Sequence, residues 1–155
     1  MLELRFGTSV AEWVAAHIPH GGTAARFGDC AAIGFAQGGE LIAGAVFSNH
    51  RGHDIELSFA AADPSWARRG NLRAVFHYPF RQLGCARVTV VTGRSNAPAR
   101  RLAAGLGFTL EGVVRRGLDG REDAFVFGML REECRWLSTT EDSHGKIVTI
   151  AAARA

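Results

Sequence analysis

The sequence has few of the features that mark secreted, membrane-spanning or metal-stabilised proteins. Its three cysteines, Cys30, Cys85 and Cys134, are far apart and odd in number, which argues against a disulfide framework or a zinc site. No apolar run is long enough to span a membrane, and no basic segment followed by an apolar stretch opens the chain. We therefore predict a protein of the reducing cytosol with no membrane partner and no bound metal.

An excess of one charge is also lacking. The formal net charge is +3 and the isoelectric point is about 9.1, a balance that permits a phosphorylated ligand or RNA but requires neither. Aromatic residues are not interleaved with the arginines, so the pattern disfavours simple nucleic-acid binding. We also find no nucleotide-binding P-loop, no dinucleotide fingerprint and no nucleophile elbow of a Ser-His-Asp hydrolase.

The composition is that of an ordinary folded domain. The 155 residues include 47% hydrophobic and 21% charged residues, enough to bury a core without disulfides or metals. We predict a single domain over residues 1–137. Residues 138–155 form a tail that either frays or adds a short strand at 147–150.

The first half of the chain predicts strands joined by tight turns. A weak strand over 1–6 precedes a helix that Ser9 and Glu12 would begin as a capping box. Gly38-Gly39 is typical of a two-residue hairpin between strands at 30–36 and 40–48. A third strand, 53–60, alternates Ile55, Leu57 and Phe59 with polar residues.

The second half predicts helices that cross between strands. Apolar spacing indicates a helix over 69–83 that Pro79 interrupts. Asn96, Pro98 and Gly107 are typical of the two ends of another helix. The remaining predictions are strands at 86–92, 108–114 and 123–130, and a short helix within 131–137.

This order of elements predicts an α/β fold of the α+β kind. Consecutive strands joined by turns are antiparallel, whereas crossover helices require parallel neighbours around residues 87–91. We therefore expect a mixed, mostly antiparallel central sheet of about six to seven strands, with helices on both faces.

Three segments are candidates for ligand binding. The segment 66–73 leads into a helix, where free amides, Gly70 and three arginines could bind phosphate, or simply form a solvated basic helix start. The end of the preceding strand, Phe59 to Ala61, could expose unpaired backbone to a ligand if its neighbour diverges. Asn96, with Ser95, could cap a helix and also contact a ligand.

Glu56 is the candidate catalytic residue. It lies on the polar face of a strand expected to be central, where a carboxylate is costly unless a cleft, an ion pair or a function accounts for it. It could accept a proton from an ammonium group, directly or through water, or it could simply face solvent or pair with an arginine. His50, His53 and Asp54 do not have a recognised zinc spacing, so we disfavour a metal site there.

Residues from about Ile55 to Trp136 resemble the GNAT superfamily of N-acetyltransferases. The most specific stretch is Asn96-Ala97-Pro98-Ala99-Arg100-Arg101-Leu102, continued by Leu106-Gly107-Phe108 and Glu111-Gly112. The branch that acetylates protein N-termini and related amines is similar at Arg87-Val88, Phe127-Gly128-Met129 and Glu133-Cys134-Arg135-Trp136.

The resemblance implies acetyl-CoA as acyl donor and direct attack by a neutral amine. It places the pyrophosphate at the helix start and the pantetheine along the strand end, with two further residues near the thiol. The implied cofactor-binding residues are Phe59, Ala60, Ala61, Arg68, Arg69, Gly70, Asn71, Leu72, Arg73, Asn96 and Arg100.

Two positions depart from the family pattern. With Gly70 as the first glycine of the phosphate loop, Ala67 stands where a basic or amide residue is usual and Leu72 where a second glycine is usual. Ala103 stands where many members have a tyrosine that acts as general acid, and the only tyrosine, Tyr78, lies in the other helix. The general acid is therefore unassigned.

Three hypotheses follow. The first is an acetyltransferase that acts on a primary amine: a protein N-terminus, a lysine, a polyamine or a small molecule. The second is a non-catalytic acyl-CoA-binding or sensing domain, and the third is an acetyltransferase acting on aminoacyl-tRNA. Exposed strand edges also predict a possible homodimer.

Overall fold

A computed structural model of the protein describes residues 2–137 and 152–154. Within these residues the α-helices are α1 (Thr8–His17), α2 (Arg69–His77) and α3 (Ala97–Leu106). The strands are β1 (Glu3–Phe6), β2 (Asp29–Gln37), β3 (Glu40–Ser48), β4 (Asp54–Ala61), β5 (Arg87–Gly93), β6 (Thr109–Leu118), β7 (Glu122–Leu130) and β8 (Ala152–Arg154). The predicted order of elements is confirmed through β7. The predicted strand at 147–150 lies outside the described residues.

All these strands belong to one mixed sheet. Its order is β1-β2-β3-β4-β5-β7-β6, and β8 pairs with β2 outside this path. The pairing of β4 with β5 is parallel, whereas the other neighbours are antiparallel. The predicted mostly antiparallel sheet is therefore confirmed, with seven strands along the path.

The hairpin between β2 and β3 has the predicted two-residue turn. Gly38 and Gly39 have φ angles of 60° and 85°. Positive φ at both central residues suits the right-handed twist of the flanking strands and favours glycine there. The turn sets the register in which Gln37 pairs with Glu40.

Two apolar clusters cover the two faces of the sheet. The cluster on the α2 and α3 side includes Ile33, Phe35, Phe47, Leu72, Phe76 and Ala103. The cluster on the α1 side includes Val10, Val14, Ala32, Val46 and Ala60. Neighbouring strand residues belong to opposite clusters because side chains alternate across a sheet. Helices on both faces were predicted and are confirmed.

The predicted capping box at the start of α1 is wrong. The helix begins at Thr8, and its N-cap is Gly7, which has no side chain to accept a hydrogen bond. The Glu12 carboxylate instead accepts a hydrogen bond from the Ala24 amide at 3.2 Å. It therefore stabilises the 3-10 turn Ala24–Phe27 rather than the first turn of its own helix.

Pro79 changes the helical geometry at the end of α2. The regular helix ends at His77 and continues as a π-helical turn, Tyr78–Gln82, in which the Leu83 amide donates to the Tyr78 carbonyl at 3.0 Å. Since proline has no N–H to donate, the regular hydrogen-bond pattern cannot continue through it. The predicted interruption is confirmed.

Two predicted elements after α3 have different bounds. β6 extends to Leu118, with irregularities in its pairing with β7. The short helix predicted within 131–137 is only a 3-10 turn, Arg131–Glu133. Trp136, three residues after this turn, donates a hydrogen bond from Nε1 to the Leu106 carbonyl at 2.8 Å.

Candidate functional site

The parallel strands β4 and β5 separate after a short paired stretch. The paired residues are Asp54 with Arg87, Ile55 with Val88 and Glu56 with Thr89. Beyond them, in the part of the chain that the structure describes, the two strands do not pair with each other. β4 stays paired with β3 and β5 with β7 on their outer sides. The backbone groups that face the gap are consequently left for a ligand or water.

The gap widens into a cleft of about 450 Å³. Its walls include Ser58 to Ala61 of β4 and Val90 to Gly93 of β5. On the α2 and α3 face, the lining residues include Trp66, Leu72, Phe76, Asn96, Leu102 and Ala103. On the α1 face they include His17, Ile18, Pro19, Arg26, Leu118 and Glu122. The cleft therefore opens on both faces of the sheet.

A buried polar network holds the paired end of β4 and β5 together. The Thr89 hydroxyl donates to Asp54 at 2.8 Å, and Arg87 Nε lies 3.5 Å from the same carboxylate oxygen. Arg87 also pairs with Glu111, with Nη2 and Oε1 2.5 Å apart. The hydrogen bond that Arg87 donates to Glu111 and the negative charges of Glu111 and Asp54 raise the pKa of Arg87 against the opposing effect of burial.

The start of α2 forms the rim of the cleft on the α2 side. We use the term donor rim for residues 68–71, because their amides and arginine side chains are hydrogen-bond donors. Trp66 before it and Leu72 after it both line the cleft. The first-turn amides of a helix have no acceptor within that helix and carry its positive dipole end. The arginine side chains of the donor rim are exposed. This rim suits an anionic group such as a phosphate.

Gly70 leaves the donor rim open to close approach. A Cβ at this position would meet no atom within 4 Å, and the φ angle is outside the left-handed range. Neither packing nor backbone conformation therefore requires glycine there, although glycine costs helix stability of about 1 kcal/mol relative to alanine. A ligand that contacts the backbone would account for it. Asn71 contributes locally, since its Nδ2 donates to the Trp66 carbonyl at 2.7 Å.

The structure brings some of the predicted residues into the cleft and leaves others outside. Those that line it are Phe59, Ala60, Ala61, Leu72 and Asn96. Those that do not are Arg68, Arg69, Gly70, Asn71, Arg73, Arg100 and Glu56. The first four of these form the donor rim, and Arg73 lies one turn further along α2.

Asn96 both caps α3 and faces the cleft. Its Oδ1 accepts a hydrogen bond from the Ala99 amide at 3.2 Å, and Gly107 ends the helix with a φ of 110°. Arg100 is directed elsewhere, because its guanidinium carbon lies 5.2 Å from the centre of the Phe125 ring. The predicted cap is confirmed, and the predicted ligand contacts of both residues stay predictions.

Glu56 lies at the paired end of the strands rather than in the cleft. Glu56 pairs with Thr89 of β5, and its carboxylate accepts a hydrogen bond from Asn49 Nδ2 at 3.0 Å. Ser58, two residues further along on the same face, does line the cleft. Glu56 therefore has a structural partner and is not among the residues that line the cleft.

Trp66 opens the predicted segment 66–73 but was given no role of its own, and sequence reasoning did not single out His17 or Glu122. Trp66 is 2% exposed, and its ring centre is 4.4 Å from that of Phe59. Glu122 accepts hydrogen bonds from the Ser95 hydroxyl at 2.7 Å and the Ser95 amide at 3.1 Å, and both lower the pKa of Glu122. These residues come from separate elements, so no local spacing groups them.

The described residues place no tyrosine in the cleft. Tyr78 is buried, with its ring centre 4.9 Å from that of Phe47. Burial raises the pKa of its hydroxyl. Ala103 lines the cleft at the position where the resemblance would place a tyrosine. The general acid is therefore not supplied by either position.

The described residues form no group of three or more potential metal ligands. Asp54 is instead turned towards Arg87 and Thr89. Cys30, Cys85 and Cys134 are unpaired, and none lines the cleft. Across the same residues, no helix has the length and apolar content that crossing a membrane would require.

Solved structures with the same fold are acetyltransferases. One is the ribosomal-protein-S18-alanine N-acetyltransferase from Escherichia coli, 22% identical, with a TM-score of 0.59 over 92% of this chain and 98% of that chain. Another is the ribosomal-protein-S5-alanine acetyltransferase from Vibrio fischeri, 14% identical, with a TM-score of 0.63 over 86% and 95%. A third is a GNAT family acetyltransferase from Elizabethkingia anophelis with acetyl-CoA bound, 14% identical, with a TM-score of 0.55 over 65% and 76%.

In three further matches the chain spans only 60% or 61% of the neighbour's length. No protein-family model matches the sequence, and no match was found among curated proteins. The likeness is therefore one of fold. The chain has the GNAT acetyltransferase fold.

Proposed function

We propose that this chain transfers an acetyl group from acetyl-CoA to a primary amine. The observation that carries the proposal is the cleft between β4 and β5, which passes through the sheet and has the donor rim at one opening. Such a cleft lets two substrates enter from opposite faces and meet between the strands. One structural neighbour is described with acetyl-CoA bound.

The donor side of the cleft fits the chemistry of acetyl-CoA. Pantetheine carries amides, which can pair with the free backbone groups of Phe59 to Ala61 as an added strand would. The pyrophosphate would be held by the bare amides at Gly70 and by Arg68 and Arg69. When bound, acetyl-CoA would supply an activated thioester.

The acceptor would enter from the α1 face. That opening carries the carboxylate of Glu122, which attracts an ammonium group. No cysteine of the described residues lines the cleft, which supports direct attack by the amine without a cysteine acyl-enzyme. A protein N-terminus is the acceptor that two neighbours' names favour, since both act on a ribosomal-protein alanine.

A non-catalytic acyl-CoA-binding domain is the main alternative. The observation that favours it is Ala103 in the cleft, where no tyrosine is available as general acid. An acetyltransferase acting on aminoacyl-tRNA is a further alternative, and the exposed arginines of the donor rim are its support. A steep loss of RNA binding with salt would favour it.

The proposed homodimer and the cytosolic location stay predictions. Edge strand β6 exposes Leu110, Val113 and Val114, which supports a partner on that edge. The three unpaired cysteines support a reducing compartment.

Calorimetry of acetyl-CoA binding tests the donor site. We expect Gly70→Glu to weaken binding at least tenfold, because the added carboxylate repels the pyrophosphate and blocks the backbone. Gly105→Glu is the matched control: it is an exposed helical glycine whose Cβ would also meet nothing within 4 Å, and it should bind normally.

Turnover separates the proposal from its main alternative. Release of the CoA thiol is followed with a peptide that has a free N-terminal alanine. Binding with turnover supports the transferase, and binding without turnover of any amine supports the sensing domain. If the unmutated chain does not bind acetyl-CoA, the proposal is wrong.

A further inference from the structure

Three titratable side chains of the described residues line the cleft: His17, Arg26 and Glu122. All three lie at its α1 opening. Arg26 is a permanent cation, and its Nη1 donates to the His20 carbonyl. Glu122 is held as a carboxylate by Ser95, so it is a poor proton acceptor. Histidine is the one residue type of the three that commonly exchanges a proton near neutral pH.

Two contacts fix the orientation of the His17 ring. The ring stacks on Trp13 with centres 3.9 Å apart and planes 18° from parallel. Its Nδ1 lies 2.7 Å from the Trp13 carbonyl oxygen. A carbonyl can only accept a hydrogen bond, so Nδ1 carries the hydrogen. In the neutral ring, Nε2 therefore has a free lone pair.

We propose that Nε2 of His17 accepts the proton of the acceptor ammonium. This inference rests on the proposed function. The N–H bond of the ammonium breaks and an Nε2–H bond forms, which leaves a neutral amine. Its nitrogen then forms a bond to the thioester carbon as the C–S bond breaks. The nitrogen loses a second proton, and the thiolate gains one, so the products are amide and thiol.

The surroundings of His17 suit this role. His17 is the last residue of α1 and is exposed, so its imidazolium can return the proton to solvent. The charged groups that line the cleft at this opening are Arg26 and Glu122, and an adjoining pocket beyond Arg26 is lined by His20, Asp119 and Arg121. The Glu122 carboxylate attracts the ammonium group, and the positive charge of Arg26 favours its loss of a proton. Glu56, by contrast, does not line the cleft.

The tautomer can be measured without any substrate. Nitrogen-15 NMR of the histidine side chains distinguishes Nδ1–H from Nε2–H, and loss of one signal set in His17→Gln assigns it among the six histidines. We expect the neutral His17 ring to carry its hydrogen on Nδ1. A neutral ring with the hydrogen on Nε2 would overturn the proposal.

Turnover of the alanine peptide tests the catalytic role. We expect His17→Gln to lower kcat/KM about 10²- to 10⁴-fold near neutral pH, with acetyl-CoA affinity unchanged. The defect should shrink as pH rises, because the free amine then becomes abundant in solution. A merely structural role would give a defect that pH does not relieve.

Two controls complete the experiment. His50→Gln, in the exposed turn between β3 and β4, should match the unmutated chain at every pH. Glu56→Gln should retain the fall in kcat/KM at acidic pH that the unmutated chain shows. If Glu56→Gln abolishes this fall in kcat/KM and His17→Gln keeps it, His17 is not the proton acceptor, although the proposed function stands. If the unmutated chain binds acetyl-CoA but acetylates no amine, both fall.

Discussion

The two ends of the β4–β5 pair differ in what occupies the space between the strands. At the paired end, Asp54, Thr89 and Arg87 satisfy one another within the sheet. At the open end, Ala61 and Gly93 have no such contact, and a cleft separates them. The same two strands thus provide a closed structural joint and a candidate ligand site.

The sheet keeps part of a strand edge open while the two strands stay in place. Unpaired backbone groups inside a sheet are costly unless water or a ligand satisfies them. The outer pairing with β3 and β7 and the network at the closed end hold the two strands in place. Binding can therefore use preformed geometry, which limits the cost of ordering.

The largest effect on the free energy of unfolding is expected at the closed end. Asp54→Ala should lower the free energy of unfolding by about 3 kcal/mol, because it leaves Arg87 and Thr89 without their buried partner. Urea unfolding at neutral pH measures this change. Glu111→Ala is the control: its side chain is 37% exposed, so the loss should stay below about 1 kcal/mol. Equal losses would show that the closed end is not the stabilising joint.

Much of the fold could be predicted because its signals are local. The Gly38-Gly39 turn defines one hairpin, and Asn96, Pro98 and Gly107 define both ends of α3. The capping box at Ser9 failed for a non-local reason. Glu12 finds a better-placed donor in the amide of Ala24, twelve residues away.

The cleft could be predicted only in part. The strand end at Phe59 to Ala61 and the donor rim follow each other along the chain, so the order of elements brought them together. His17 ends α1 and Glu122 begins β7, so they are far apart in the sequence and come together only as residues that line the same cleft. Glu56 was singled out for its central strand, but the position where the strands part lies one residue beyond it.

The open end should respond to donor binding where the closed end does not. Amide hydrogen exchange by NMR compares the free and acetyl-CoA-bound protein. Among residues 57–61 and 90–93, amides that face the gap should gain at least tenfold protection as they pair with the ligand. Amides of Ile55 and Val88 are the internal reference, since ligand binding also stabilises the whole fold. Equal gains at both ends would mean general stabilisation without strand-like pairing.

The smallest expected effect concerns the carboxylate at the open end. Hydrogen bonds from the Ser95 hydroxyl and amide lower the pKa of Glu122 below its ordinary value of 4.5; the charge of His20 adds to this and that of Asp123 opposes it. A lowered pKa in the folded state stabilises the protein above the pKa of the unfolded chain, and this stabilisation is lost as pH falls through the folded value. Ser95→Ala should therefore have a lower free energy of unfolding than the unmutated chain at neutral pH, and this difference should become smaller in acid. Urea unfolding across the acidic range measures it, and Ser95→Thr, which keeps the hydroxyl, should follow the unmutated curve. If the difference in the free energy of unfolding stays constant with pH, Ser95 contributes through packing rather than through its hydrogen bond to Glu122.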